Sequence, residues 1–159
     1  METNRKILSS RSDLVTRLEG LPDSRVVFTN GVFDILHGGH LELLWFARAL
    51  GDILVVGVND DASVRRLKGP SRPVFPLEER LEILSVLKPV SLVAPFSEDT
   101  PLELIRALPR IDVLVKGGDY RPHEVAGRRE VEARGGRLEI FPFRTVNSTS
   151  DILRKLGRA

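Results

Sequence analysis

The chain has 159 residues, 24 basic against 22 acidic, with 42% hydrophobic and 29% charged residues and a formal net charge of +2. That length and balance fit one globular domain whose core needs no covalent staple. With no cysteine, disulfide frameworks, thiol nucleophiles and thiolate metal sites are excluded, and the interspersed charges form no basic stripe of the kind a nucleic-acid binder presents.

Residues 1–24 read as a helical extension, with Leu14, Val15 and Leu18 as its inward face. Their polar start is unlike a secretory leader, and no apolar run approaches the ~20 residues that span a bilayer. A cytoplasmic location is the expectation. From residue 25 to 159, apolar runs alternate with amphipathic segments. Residues 25–29 form a short buried strand, after which Leu43, Phe46, Ala47 and Leu50 fall at helical spacing, stopped by Gly51. Residues 52–58 are too uniformly apolar for a water-facing strand. A short helix is expected over 60–66, then a Gly/Pro loop over 68–75. Pro76 suits the first position of a helix with Leu77, Leu81 and Leu84 on one face.

Further strands are expected at 91–94, 112–115 and 137–141. Between them lie a helix opened by Thr100 and Pro101, with Thr100 as N-cap, and another over 127–134 that ends at Gly135 and Gly136. A last helix covers 148–156. Repeated strand–helix units with apolar strands imply an α/β fold: one Rossmann-like domain, a five-stranded, mainly parallel sheet with helices on both faces. Such sheets bind ligands at the carboxyl ends of their strands, where the strand order reverses.

The stretch of greatest chemical content follows the first strand: Thr29-Asn30-Gly31-Val32-Phe33-Asp34-Ile35-Leu36-His37-Gly38-Gly39-His40. Two of the three histidines stand three apart at the mouth of a helix. Glycines there let backbone approach a ligand, and free amides at a helix start favour an anion. Two imidazoles aimed at one point add donors, an assembly suited to polyphosphate. Ser148 and Thr149, opening the last helix, offer hydroxyls and amides for outer phosphates, or merely cap it. Asp34 is read as a support that orients the histidine turn by accepting backbone hydrogen bonds.

The His-x-Gly-His segment, led by Gly-x-Phe-Asp, resembles the signature of the nucleotidyltransferase family that includes the cytidylyltransferases. Arg66-Leu67-Lys68-Gly69, Ser71-Arg72-Pro73-Val74, Pro76-Leu77-Glu78-Glu79-Arg80 and Val115-Lys116-Gly117-Gly118-Asp119-Tyr120 make it similar to the bacterial D-glycero-β-D-manno-heptose 1-phosphate adenylyltransferases, in their stand-alone form, from about residue 25 to 156. The resemblance implies ATP as substrate, Mg²⁺ carried by the triphosphate, no protein metal cage, a sugar 1-phosphate as acceptor, no nucleic-acid or membrane partner, and a possible homodimer.

It casts His37, His40 and Lys68 as catalytic residues. Thr29, Asn30, Gly31, Phe33, Gly39, Lys116, Gly118, Asp119, Ser148 and Thr149 would bind the nucleotide. Arg72 and Arg80 would clamp the sugar phosphate, an assignment that suits a bidentate guanidinium, although Arg80 has a second reading as the partner of Glu79 or another surface carboxylate. A cytidylyltransferase acting on glycerol 3-phosphate is the alternative within the class. A non-catalytic nucleotide-binding module is the alternative outside it.

Overall fold

The computed structural model describes residues 6–118, 120–143, 149–155 and 157, with the backbone alone for 149–151. Five strands form one all-parallel sheet: β1 (Val26–Gly31), β2 (Ile53–Asn59), β3 (Leu92–Phe96), β4 (Val113–Gly117) and β5 (Arg137–Phe141), in the order β3-β2-β1-β4-β5. The chain winds outward from β1 through β2 to β3, then returns to β1's other side with β4 and β5. The order therefore reverses between β1 and β4, and the crevice at their carboxyl ends is the place where such a sheet takes its ligand.

Apolar side chains alternate along each strand and feed two cores, one per face. On one, Phe28, Val55 and Leu114 pack with Leu14 and Leu18 of α1 (Arg11–Glu19), Leu104 and Ile105 of α2 (Leu102–Ala107), and Val131 of α3 (Arg128–Ala133). On the other, Val27, Val56 and Val115 pack with Leu43, Leu44 and Ala47 of α4 (Gly38–Ala49) and with Leu81 and Leu84 of α5 (Leu77–Val86). Strands β1 to β4 are covered on both sides, which accounts for their apolar runs, whereas the edge strand β5 stays partly exposed. Two further α-helices among the described residues are α6 (Asp61–Lys68) and α7 (Thr149–Lys155), and a 3-10 turn spans Pro122–Glu124. The segment before β1 joins the sheet's fabric as well, since Ile7 bridges Val93 at the β3 edge and Leu8 N–H donates to the Val93 carbonyl.

The ends of elements hold the differences from the sequence reading. β1 and β4 run on to Gly31 and Gly117 because their polar last residues still find ladder partners, Asn30 opposite Gly57 and Lys116 opposite Ile140. That extension carries Asn30 and Lys116 to the switch crevice. The helix α6 reaches Lys68, two residues past its expected end, and stops at Gly69, whose φ of 96° lies in the left-handed region. The helix after β3 begins at Leu102 with Pro101 before it and no side-chain cap, so Thr100 does not play the expected part.

Candidate active site

The crevice is a cleft of about 740 Å³, within the range of small-molecule sites, lined by the ends of β1, β2 and β4 and by loops that include those after β3 and β5. Among the expected residues, Asn30, Gly31, Phe33, His37, His40, Lys68, Arg72 and Lys116 line it. Asp119 and Ser148 lie outside the described residues, as does the side chain of Thr149.

The histidine turn is built by packing. Phe33 takes a positive φ of 49°, strained for a residue with a Cβ, and buries its ring 5.2 Å from that of His40. His37 occupies the N-cap of α4 and its ring lies 3.9 Å from that of His40, centroid to centroid. Gly39 leaves room beneath it: a Cβ there would stand 3.1 and 3.2 Å from His37 ring atoms and press the ring aside by a few tenths of an ångström. The His37 backbone N–H donates to His40 Nδ1 at 3.4 Å. An Nδ1 that accepts cannot carry the proton, so Nε2 carries it and is the ring's donor.

Burial, and then the neighbouring His37, push the His40 pKa down to about 4; burial lowers that of His37 as well. At neutral pH His40 is thus an uncharged donor at a helix start whose first-turn amides also point outward. The same depression has a stability consequence. Between the folded value near 4 and the unfolded 6.5 the unfolded chain binds more protons, so acidification through that window favours unfolding. Full stability from this source is present above pH 6.5, and about 3 kcal/mol is lost by pH 4. Chemical denaturation at pH 7 and pH 4.5 should show this fall, and it should shrink in His40→Gln; equal losses in both proteins would contradict it.

Asp34 and Arg72 form a second unit. The Asp34 carboxylate is fully buried, accepts from Arg72 Nε at 2.6 Å, and accepts the backbone N–H of Val74 and Phe75 at 2.8–2.9 Å. Its support is thus given to the loop after α6, rather than to the histidine turn. Arg72 lines the cleft, but one face of its charge is already met.

Arg80 corrects the sequence reading more sharply. It is absent from the cleft lining, and its side chain is wholly buried. Nε donates to the Phe75 carbonyl, Nη1 to the carbonyls of Val32 and Asn59, and Nη2 to Asp61 at 2.6 Å. A guanidinium committed to three carbonyls and a carboxylate cannot clamp a sugar phosphate. The reading that pairs it with a carboxylate is the one met, with Asp61 in place of Glu79. Thr29 also leaves the ligand set: it is fully buried in mid-sheet, and its Oγ1 has no hydrogen-bond partner among the described residues. Gly118 does not line the cleft but turns the chain out of β4 with a φ of 116°.

Other lining residues escaped the sequence reading: Asn59, Asp99, Thr100, Tyr120, Glu124, Val125 and Phe143. Phe143 lies directly on Gly117, where an added Cβ would come within 2.5 Å of its ring, and meets Phe141 edge-on at 5.7 Å. A glycine at the end of a strand, with one phenylalanine ending the next strand and another two residues on, was the available signal. Tyr120 is nearly half exposed beside Lys116, whose Nζ lies 5.5 Å from the ring centroid.

A cytidylyltransferase-like family model matches residues 28–155, which takes in the histidine turn and four of the five strands entire. The chain belongs to the cytidylyltransferase-like family. As a member of it, the protein is a nucleotidyltransferase.

Among proteins similar to this cytidylyltransferase-like chain is the bifunctional protein HldE of Trichlorobacter lovleyi, 49% identical over 153 residues, 96% of this chain and 30% of that protein. HldE of Yersinia pestis (strain Pestoides F) is 54% identical over 133 residues, 83% of this chain and 28% of that protein. The chain thus spans less than a third of the length of these relatives. The lipopolysaccharide core biosynthesis protein of Thermoplasma volcanium GSS1 has a similar structure, with a TM-score of 0.62 at 28% identity, covering 78% of this chain and 99% of that one. The pantoate-beta-alanine ligase of Francisella tularensis shares the fold, with a TM-score of 0.55 at 13% identity, covering 91% of this chain and 68% of that one. Among the described residues no helix is long and apolar enough to cross a membrane.

Proposed function

We propose that this nucleotidyltransferase transfers AMP from ATP to a sugar 1-phosphate of the heptose type, giving an ADP-sugar and pyrophosphate. The observation that carries the transfer step is the neutral His40, its Nε2–H free to donate, stacked with His37 at the start of α4 in the switch-point cleft. The choice of ATP and of heptose rests on the resemblance of the loops and on the HldE relatives.

An oxygen of the acceptor's phosphate attacks the α-phosphorus in line, and the bond to the bridging oxygen breaks, so pyrophosphate leaves with that oxygen. No covalent enzyme intermediate is needed. The protein's part is positioning and the stabilisation of charge that grows on the α-phosphoryl oxygens. His40 Nε2–H, His37 and the first amides of α4 donate to those oxygens. Lys68, exposed at the cleft's rim at the end of α6, adds charge as it swings inward. Asn30, Gly31 and Phe33 form the floor over which the nucleotide lies. Among the described residues no three metal-ligating side chains stand together, so an accompanying Mg²⁺ would take phosphate oxygens and water as ligands.

Pyrophosphate release, measured with ATP, CTP and GTP against heptose 1-phosphate and glycerol 3-phosphate, tests the assignment. ATP with heptose 1-phosphate should give the highest kcat/KM. A preference for CTP with glycerol 3-phosphate would replace the reading by its cytidylyltransferase alternative, and release with no pair would remove it.

A further inference from the structure

A transferase that joins a triphosphate to a phosphorylated acceptor gathers several negative charges in one cleft, and with Arg80 consumed by the fold its cations must be found elsewhere. Arg72 is met by the buried Asp34, and Lys68 stands exposed at the rim. His40 is neutral at physiological pH. Among the described residues the remaining lining cation is Lys116.

Lys116 sits at the carboxyl end of β4, beside β1, where the strand order reverses. Its Nζ donates to Asn30 Oδ1 at 3.0 Å, and among the described residues no carboxylate lies within ion-pairing distance. Burial lowers its pKa to about 8, a measure of how little solvent the ammonium retains. Its predecessors on the strand, Val113 to Val115, are fully buried and apolar. For the fold alone an apolar residue would serve better than a desolvated amine. The hydrogen-bond inventory identifies what is on offer: the ammonium has three donors, of which Asn30 takes one, and an Asn30 oxygen turned to the lysine leaves the amide NH₂ as a further donor.

We propose that Lys116 and Asn30 form a phosphate-binding subsite in the floor of the cleft, separate from the histidine turn, which takes up a phosphate group of one of the two substrates. The proposal rests on the nucleotidyltransferase reading for the identity of those substrates. The phosphate oxygens meet the two spare ammonium donors and the Asn30 amide, and the anion gives the half-buried amine a counter-charge that no described residue supplies.

Calorimetric titration of the intact protein with tripolyphosphate and, separately, with a sugar 1-phosphate tests the subsite in wild type, Lys116→Gln and Lys116→Arg. The Gln variant should bind one of the two about tenfold more weakly or worse, with Arg recovering most of the loss. Weakening confined to the sugar 1-phosphate assigns the subsite to the acceptor, and weakening confined to tripolyphosphate assigns it to the donor. Affinities within twofold of wild type for both ligands overturn the proposal. Should the Gln variant fail to fold, the Lys116 ¹³Cε resonance of wild type decides: it should shift on addition of either ligand, and its constancy at saturation overturns the subsite. These are binding readouts, so a failure to release pyrophosphate would strike the substrate assignment and leave the subsite standing.

Discussion

Replacement of His40 by alanine is expected to lower kcat by two to three powers of ten. The imidazole is held by two residues: the Phe33 ring on one hand, and the ring and backbone N–H of His37 on the other, the latter on Nδ1. Such a preset donor costs no reorganisation when charge develops on a phosphoryl oxygen, and loss of one such donor costs about 10²–10³ in turnover. The kcat should fall more than the apparent affinity for the triphosphate changes, since the donor acts most on the transition state. Steady-state pyrophosphate release reads both. A variant with kcat within a few-fold of wild type would remove His40 from the mechanism. His40→Gln should recover little, because its amide cannot reach the Nε2 position while also accepting the His37 N–H.

Replacement of Arg80 by methionine is expected to destabilise the fold by about 3 kcal/mol or more, which for a chain of this size corresponds to a fall of roughly 10 °C in Tm. Methionine fills much of the volume but leaves three carbonyls and Asp61 without their donor. Those acceptors belong to four segments around the cleft: Val32 beside Phe33, Asn59 at the end of β2, Asp61 at the start of α6, and Phe75 in the loop that carries Arg72. Thermal unfolding by circular dichroism measures the loss. A sugar-phosphate clamp would give the opposite pattern, an unchanged Tm with a weakened acceptor affinity, and that result would return Arg80 to the ligand set.

The two arginines show where the sequence was legible and where it was not. Both stand in loop-and-helix segments similar to the heptose adenylyltransferases, and both have the chemistry of a phosphate clamp. Only the tertiary fold distinguishes them. Arg80 lies on the first turn of α5 that packs over β2 and β3, so its side chain points into the meeting of four chain segments. Arg72, eight residues earlier, is pulled to the cleft wall by an aspartate 38 positions away. No spacing within 70–80 encodes either carboxylate partner.

The sequence by itself determined the succession of strands and helices, the parallel sheet, and the histidine turn that marks the site. Those features are local: apolar runs of strand length, a 3.6-residue period, and a glycine-bearing stretch of twelve residues that keeps its chemistry wherever the chain goes. Tertiary structure decided the strand order, and with it the meeting of Asn30 and Lys116, 86 residues apart, across the β1–β4 crevice. It also decided which cations face the cleft and which are spent on holding the chain. A side chain's charge is written in the sequence, but its free charge depends on the carbonyls and carboxylates that folding brings to it.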